Sequence, residues 1–122
     1  MEISLSDLLD RISILQLKIE RIGEPHLKEE FLSCLDAVEK YEDKGVKIKI
    51  AWFLELYNIN REIWDLESDI RKGKEKELGL EEVGRRALLI RGINKKRISV
   101  KNKIIEETGL GFKDVKMNHA SE

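Results

Sequence analysis

The fold is governed by residues 5–22, whose sequence is LSDLLDRISILQLKIERI. The apolar side chains recur at intervals of three and four residues, at Leu5, Leu8, Ile12, Leu15, Ile19 and Ile22. This spacing matches the turn of an α-helix and is incompatible with the two-residue period of a strand. Ser4, with Asp7 three residues later, resembles a helix N-cap, and Gly23 is a natural helix end. Residues 5–22 are therefore predicted to form the first helix.

Three more helices are predicted from the same periodicity. The second begins at Pro25, whose missing N–H group is tolerated in a first helical turn, and ends near Gly45. The third spans residues 46–72, and its apolar arc covers about half of the helix circumference. An arc of that width predicts contact with two neighbours and makes the third helix the expected centre of the fold. A charged turn at residues 73–79 precedes the fourth helix, at about residues 80–107.

The short connections between these helices favour antiparallel neighbours, so the sequence predicts an all-α, antiparallel, up-and-down bundle of four helices. Residues 1–111 are expected to form this single domain, and residues 112–122 an irregular tail. The third and fourth helices would each be about 40 Å long, which exceeds the core of so small a domain. The first helix also has a second apolar edge at Ile14 and Leu17. Both features predict that a second copy completes the core in a two-fold homodimer.

The composition excludes several classes of protein. The chain has 122 residues, and its one cysteine, Cys34, rules out an intramolecular disulfide framework and a cysteine-based zinc cluster. The longest apolar run, residues 87–90, is far shorter than the about 20 residues that cross a bilayer, so no membrane span is predicted. The first residues lack the basic and then apolar pattern of a secretion signal, which makes the cytoplasm the expected location.

Several polar side chains fall inside or beside the apolar faces of the predicted helices. They are Asp10 on the first helix, Asn60, Glu67 and Arg71 beside Trp64 on the third, and Asn94 with Arg91 and Arg97 on the fourth. Buried polar groups need hydrogen-bond partners. One interpretation is a closed network that sets helix register and pairs Glu67 with Arg71 or Arg97. The other is a cleft in which the arginines bind a small anionic ligand.

Three carboxylates align on the outer face of the third helix. Glu62, Asp65 and Asp69 are spaced by three and four residues, which places them on one line. Mg²⁺ binds to a few carboxylates plus water, so this line is a possible magnesium site. The basic fourth helix offers pairing partners for the same carboxylates. A protein without a cofactor is therefore predicted, with magnesium as the alternative.

Basic side chains concentrate on the fourth helix. Residues 84–103 contain eight Lys or Arg and no acidic residue, whereas residues 1–70 contain 9 basic and 16 acidic residues. A basic helix can follow the phosphates of a nucleic acid. However, the chain as a whole has a formal net charge of −1, and no aromatic residue lies between positions 65 and 111 to stack on bases. Nucleic acid is therefore not the favoured partner.

Residues 10–18, 60–71 and 94–97 together resemble an uncharacterised bacterial all-helical family of unknown function. The most specific part is the string Trp-Asp-x-Glu-x-Asp-Ile-Arg, which begins at Trp64. The resemblance carries no activity. The family positions that it implies as a site are Asp10, Asn60, Trp64, Glu67, Asp69, Arg71, Asn94 and Arg97.

A weaker similarity, at Glu62-x-x-Asp65, is to the all-α nucleoside triphosphate pyrophosphohydrolases, which implies Mg²⁺-dependent hydrolysis of nucleotides. The Glu-Glu-x-x-Glu half of that motif is missing from the sequence, so the carboxylate cluster for metal-assisted hydrolysis is incomplete.

The sequence favours a non-enzymatic, dimeric assembly module or an accessory module that binds an anionic ligand. The first alternative is a Mg²⁺-dependent, pyrophosphohydrolase-like enzyme that uses Glu62, Asp65 and Asp69, with Arg91 or Arg97 on the phosphates. The second alternative is nucleic-acid binding through the fourth helix.

Overall fold

The computed structural model describes residues 3–72 and 75–111, without the side chains of residues 71, 75 and 76. Five helices occur in this part of the chain: α1 (Leu5–Arg21), α2 (Pro25–Asp43), α3 (Ile50–Arg71), α4 (Glu75–Leu78) and α5 (Leu80–Thr108). The four long helices pack against one another as an all-α bundle, which confirms the predicted fold class. The predicted tail, residues 112–122, lies outside the described residues.

The helix ends follow the local sequence signals. The Ser4 hydroxyl oxygen accepts a hydrogen bond from the backbone N–H of Asp7 at 3.3 Å, and Pro25 opens α2. Gly109 ends α5 in the left-handed conformation, with φ of 72°, and its N–H donates to the Ile105 carbonyl at 2.7 Å. These cap residues fix where the helices stop, so the predicted bounds of α1, α2 and α5 are confirmed to within two residues.

Two predicted boundaries in the middle of the chain are wrong. The third helix begins at Ile50 and not at residue 46. Residues 46–49 are not helical, and Val46 and Ile48, which pack against the core, alternate with the exposed Lys47 and Lys49. Their alternation has the period of an extended chain, which a search for helical spacing does not separate from the helix that follows. The predicted turn at 73–79 also contains the single helical turn of α4.

The centre of the bundle is α1, which corrects the prediction for the third helix. α1 contacts α2, α3 and α5, whereas α3 contacts α1 and α5, the two neighbours that its broad arc predicts. One core cluster joins α1, α3 and α5, and a second joins α1 to α2 through Leu27 and Cys34. At the second apolar edge of α1, Leu17 is buried within the chain and Ile14 is half-buried.

The core occupies only one end of the bundle. Among the residues described between 61 and 99, none is buried, although α3 and α5 pack against each other over this region. We call residues 61–71 of α3 and 80–99 of α5 the arm. Within residues 3–72 and 75–111, no helix has both the length and the apolar character of a membrane span. The cytoplasmic location stays a prediction.

Candidate functional site

A polar cluster lies where α1, α3 and α5 meet. Asn60 of α3 is 5% exposed, and its side-chain N–H group donates to the Asp10 carboxylate and to the Ser13 hydroxyl oxygen, both at 2.8 Å. Asp10 and Ser13 lie on consecutive turns of the same face of α1. The Ser13 hydroxyl donates to the Asp10 backbone carbonyl at 2.6 Å. One asparagine amide thus ties α3 to two turns of α1.

Two cations of α5 complete this cluster. Arg97 donates through one terminal nitrogen to the Asn60 side-chain oxygen at 3.3 Å. Lys101, one turn later, places its ammonium nitrogen 2.7 Å from Asp7 and 3.9 Å from the second Asp10 oxygen. We call Asp10, Ser13, Asn60, Arg97 and Lys101 the Asn60 cluster. It satisfies both ends of the Asn60 amide and neutralises the buried Asp10 carboxylate, as a buried polar network requires.

The charges at the edge of this cluster reinforce it. The hydrogen bond from Lys101 is the main cause that holds the pKa of Asp7 below its usual value, against a smaller opposing effect of burial. One atom of the cluster remains unsatisfied: the Nε of Arg97 is buried and has no hydrogen-bond partner within the described part of the chain. A buried N–H group without a partner is rare in folded proteins, so this donor is a distinctive feature of the cluster.

A shallow pocket of about 550 Å³ beside Asp10 is lined by residues of α1 and by Glu30 of α2. Its charged lining consists of the carboxylates of Asp7, Asp10 and Glu30 and the cations of Arg11 and Lys18. With Lys101, which pairs with Asp7 and Asp10, the charges around the pocket balance, so the pocket does not favour an anionic ligand. Of the two interpretations of the polar residues, the geometry around Asp10 and Asn60 fits the closed network better than the open cleft.

The structure separates Asp69 and Trp64 from the Asn60 cluster. Asp69 lies 3.4 Å from the guanidinium of Arg86, which also contacts Glu82 at 2.7 Å, so this carboxylate joins α3 to the start of α5. Trp64 lies under the guanidinium of Arg21, 5.8 Å from the ring centre, at the end of α1. The single site that the family resemblance implies is therefore spread over three places along α3.

The remaining predicted residues have different environments. Glu67 is half-buried on α3, two turns beyond Asn60. Asn94 is half-buried on α5, and within residues 3–72 and 75–111 no hydrogen bond joins it to the Asn60 cluster. The side chain of Arg71 lies outside the described part of the structure. Asn60 instead joins Asp10 and Ser13 of α1, neither of which is on the same helix as Glu67 or Asn94.

Two of the three aligned carboxylates of α3 form ion pairs with different helices. Asp65 forms an ion pair with Arg21 of α1, Asp69 pairs with Arg86 of α5, and Glu62 is exposed. Among the described residues, no group of three or more His, Cys, Asp or Glu side chains is arranged to hold a metal ion. The magnesium alternative therefore lacks an assembled ligand set in this part of the chain.

Sequence reasoning missed Ser13 and Lys101. Both signals were present: Ser13 follows Asp10 by three residues, and Lys101 follows Arg97 by four, so each shares a helix face with a predicted member. Ser13 was overlooked because a serine within a helix is ordinary, and Lys101 because it belongs to a basic run that also covers the exposed face.

No protein-family model, no curated protein and no solved structure matches this chain. The two family resemblances stay predictions, and the function has to be argued from the geometry.

Proposed function

We propose that the protein is a non-enzymatic assembly module that works as a homodimer. The Asn60 cluster sets the register of α1, α3 and α5, and the second copy covers the arm. The proposal combines two features of one chain, the Asn60 cluster at the centre of the bundle and the arm, which extends beyond the core.

One observation carries the proposal: no described residue between 61 and 99 is buried. Apolar side chains nevertheless recur through this region, including Ile63, Ile70, Ile90 and Ile98, which are half-buried, and Leu88, which is 64% exposed. A pair of helices that buries so little apolar surface gains little stability on its own. Association with a second copy would supply the missing burial.

The non-enzymatic part of the proposal is supported by how the charged side chains are used. Asp10 is bonded to Asn60, Asp65 to Arg21, and Asp69 to Arg86. Each of these pairs joins two helices. Carboxylates in ion pairs between helices hold the bundle together, whereas catalytic carboxylates converge on a space where a substrate can enter.

The test of this proposal is the mass of the protein in solution. We expect sedimentation equilibrium between about 1 and 100 μM to give twice the mass of one chain at the upper concentrations, with dissociation on dilution, as for an interface of standard size. A single-chain mass at every concentration would refute it. Hydrolysis of a nucleotide panel with Mg²⁺, if lost in Asp65→Asn, would refute its non-enzymatic part.

A second candidate function, binding of a small anion, is favoured by the unsatisfied Arg97 Nε. A phosphate or carboxylate oxygen would satisfy this N–H group. Calorimetric titration with inorganic phosphate tests it, since binding that is lost in Arg97→Lys would require the guanidinium and not the charge alone. The absence of heat in the wild type would leave the Asn60 cluster as a structural network only.

A further inference from the structure

An open apolar groove lies between α1, α2 and the start of α3. It has a volume of about 400 Å³, and its lining includes Phe31, Leu35, Val38, Ile48, Ile50 and Phe53. Leu35 and Ile50 are 41% and 71% exposed. Leu32 and Leu54, which neighbour lining residues in sequence, are exposed as well. Contiguous exposed apolar surface of this kind is typical of a protein interface.

The arm carries an apolar projection on its outer face. Leu88 of α5 lies between Gly84 and Gly92, one turn before and one turn after it on the same face. A Cβ atom added at either glycine would meet nothing within 4 Å. Leu88 therefore protrudes between two positions that carry no side chain, and it is 64% exposed, as expected of a side chain that enters a groove.

The charges beside the groove and beside Leu88 are opposite and similarly spaced. On α2, Leu35 is followed on the same face by Glu39 and Glu42, four and seven residues later. On α5, Leu88 is followed by Arg91 and Lys95, three and seven residues later. All four charged side chains are exposed, and in the described part of the chain no ion pair involves them. α2 as a whole has six carboxylates and two lysines.

We propose that the homodimer forms by reciprocal docking, in which Leu88 of each copy enters the apolar groove of the other and Arg91 and Lys95 face Glu39 and Glu42. This inference rests on the proposed homodimer and adds its interface and register. The occupant is a second copy because one chain carries both complementary surfaces. A two-fold axis then makes both contacts at once, which doubles the buried area and closes the assembly at two chains.

Charge exchange tests the register. We expect Arg91→Glu/Lys95→Glu and Glu39→Lys/Glu42→Lys each to weaken dimerisation about tenfold or more in sedimentation equilibrium, because like charges then face each other. Combining all four substitutions in one chain restores opposite charges and is expected to restore dimerisation to within about threefold of the wild type. Circular dichroism verifies that every variant is folded.

The matched control is Asp36→Lys/Lys40→Glu, which keeps the net charge and alters a different face of α2. It is expected to dimerise like the wild type. A wild-type dimer whose combined variant is no better than either charge reversal would overturn the register while the proposed function stands. A wild type that is monomeric at every concentration would overturn both.

A chain that ends at Gly111 tests the other occupant that the sequence offers, its own residues 112–122. Dimerisation that is unchanged by this truncation supports the second copy as the occupant. Dimerisation that occurs only after truncation would mean that the chain's own last residues fill the groove in the full-length protein, and would overturn the inference.

Discussion

Asn60 places a donor and an acceptor at the point where three helices meet, so its removal takes a hydrogen-bond partner from each of Asp10, Ser13 and Arg97. Asn60→Leu preserves the size of the side chain but leaves the buried Asp10 carboxylate and Ser13 hydroxyl without their shared donor. We expect the free energy of unfolding to fall by about 1–3 kcal/mol, the usual cost of an unsatisfied buried polar group. Urea denaturation followed by circular dichroism measures the change.

The matched control for this substitution is Asn58→Leu, at an exposed position of the same helix. It is expected to change the free energy of unfolding by less than about 0.5 kcal/mol. The double variant Asp10→Leu/Asn60→Leu should lose less than the sum of the two single variants, because it removes both partners of one bond. Equal stability of Asn60→Leu and Asn58→Leu would contradict a structural role for the Asn60 cluster.

Glu82 makes a prediction that depends on pH. Hydrogen bonds from Arg85 and then Arg86 lower its pKa from 4.5 to about 2. A pKa that is lower in the folded chain stabilises the fold fully above the unfolded value, near 4.5, and this contribution is lost as the pH falls towards 2. An NMR titration of the Glu82 carboxyl carbon should therefore have its midpoint near 2. In Arg85→Gln we expect a higher midpoint, and an unchanged one would assign the shift to another cause.

The individual polar residues were only partly predictable. Asp10, Asn60 and Arg97 were found because a polar side chain within an apolar helix face is visible in the sequence. Their partners were not predicted, since a helical wheel shows on which face of its helix a residue lies but not which residues of other helices lie opposite it. Asp69 shares its helix with Asn60 but lies nine residues further along it, where it pairs with Arg86 in the arm. Side-chain reach across helices thus decides which residues meet.

At the level of the helices, the ends were more predictable than the middle of the chain. Ser4, Pro25 and Gly109 act on the backbone of their own helix ends, so their signals are local. The start of α3 depends instead on Val46 and Ile48, which pack against the core as an extended segment. Tertiary contacts therefore decide where α3 begins, and this position cannot be read from the local spacing of apolar residues.

Substitution of two glycines, Gly109 at the end of α5 and Gly84 within it, is expected to change the stability in opposite directions. Gly109→Ala places a side chain in the left-handed conformation and should lower the free energy of unfolding by about 1 kcal/mol or more. Gly84→Ala adds a methyl group in open space within the helix and should raise the stability of the monomer by about 0.5–1 kcal/mol. Urea denaturation of the two variants at low protein concentration measures both. A stabilised Gly109→Ala would contradict the assigned helix end.

For the whole molecule, the sequence predicted the helices and their packing as a bundle but not the helix at its centre. The breadth of its apolar arc predicted two neighbours for α3, and α3 packs mainly against α1 and α5. The same arc contains no information on how many helices surround α1. The predicted lengths of the third and fourth helices, which exceed the core, indicated that they would extend beyond it. The sequence could not tell where along their length they separate from α1, because that depends on where α1 ends in space.

In the proposed homodimer the arm and the groove couple folding to association, so stability should depend on protein concentration. A ligand that binds only the folded chain raises its stability by mass action, and a second copy acts as that ligand. We expect the thermal midpoint of the wild type to rise by about 3–5 °C for a tenfold increase in concentration. Arg91→Glu/Lys95→Glu should unfold at a lower temperature than the wild type at each concentration, because fewer of its chains are dimeric. Asp36→Lys/Lys40→Glu should behave like the wild type. A wild-type midpoint that does not move with concentration would mean that the arm is stable without a second copy.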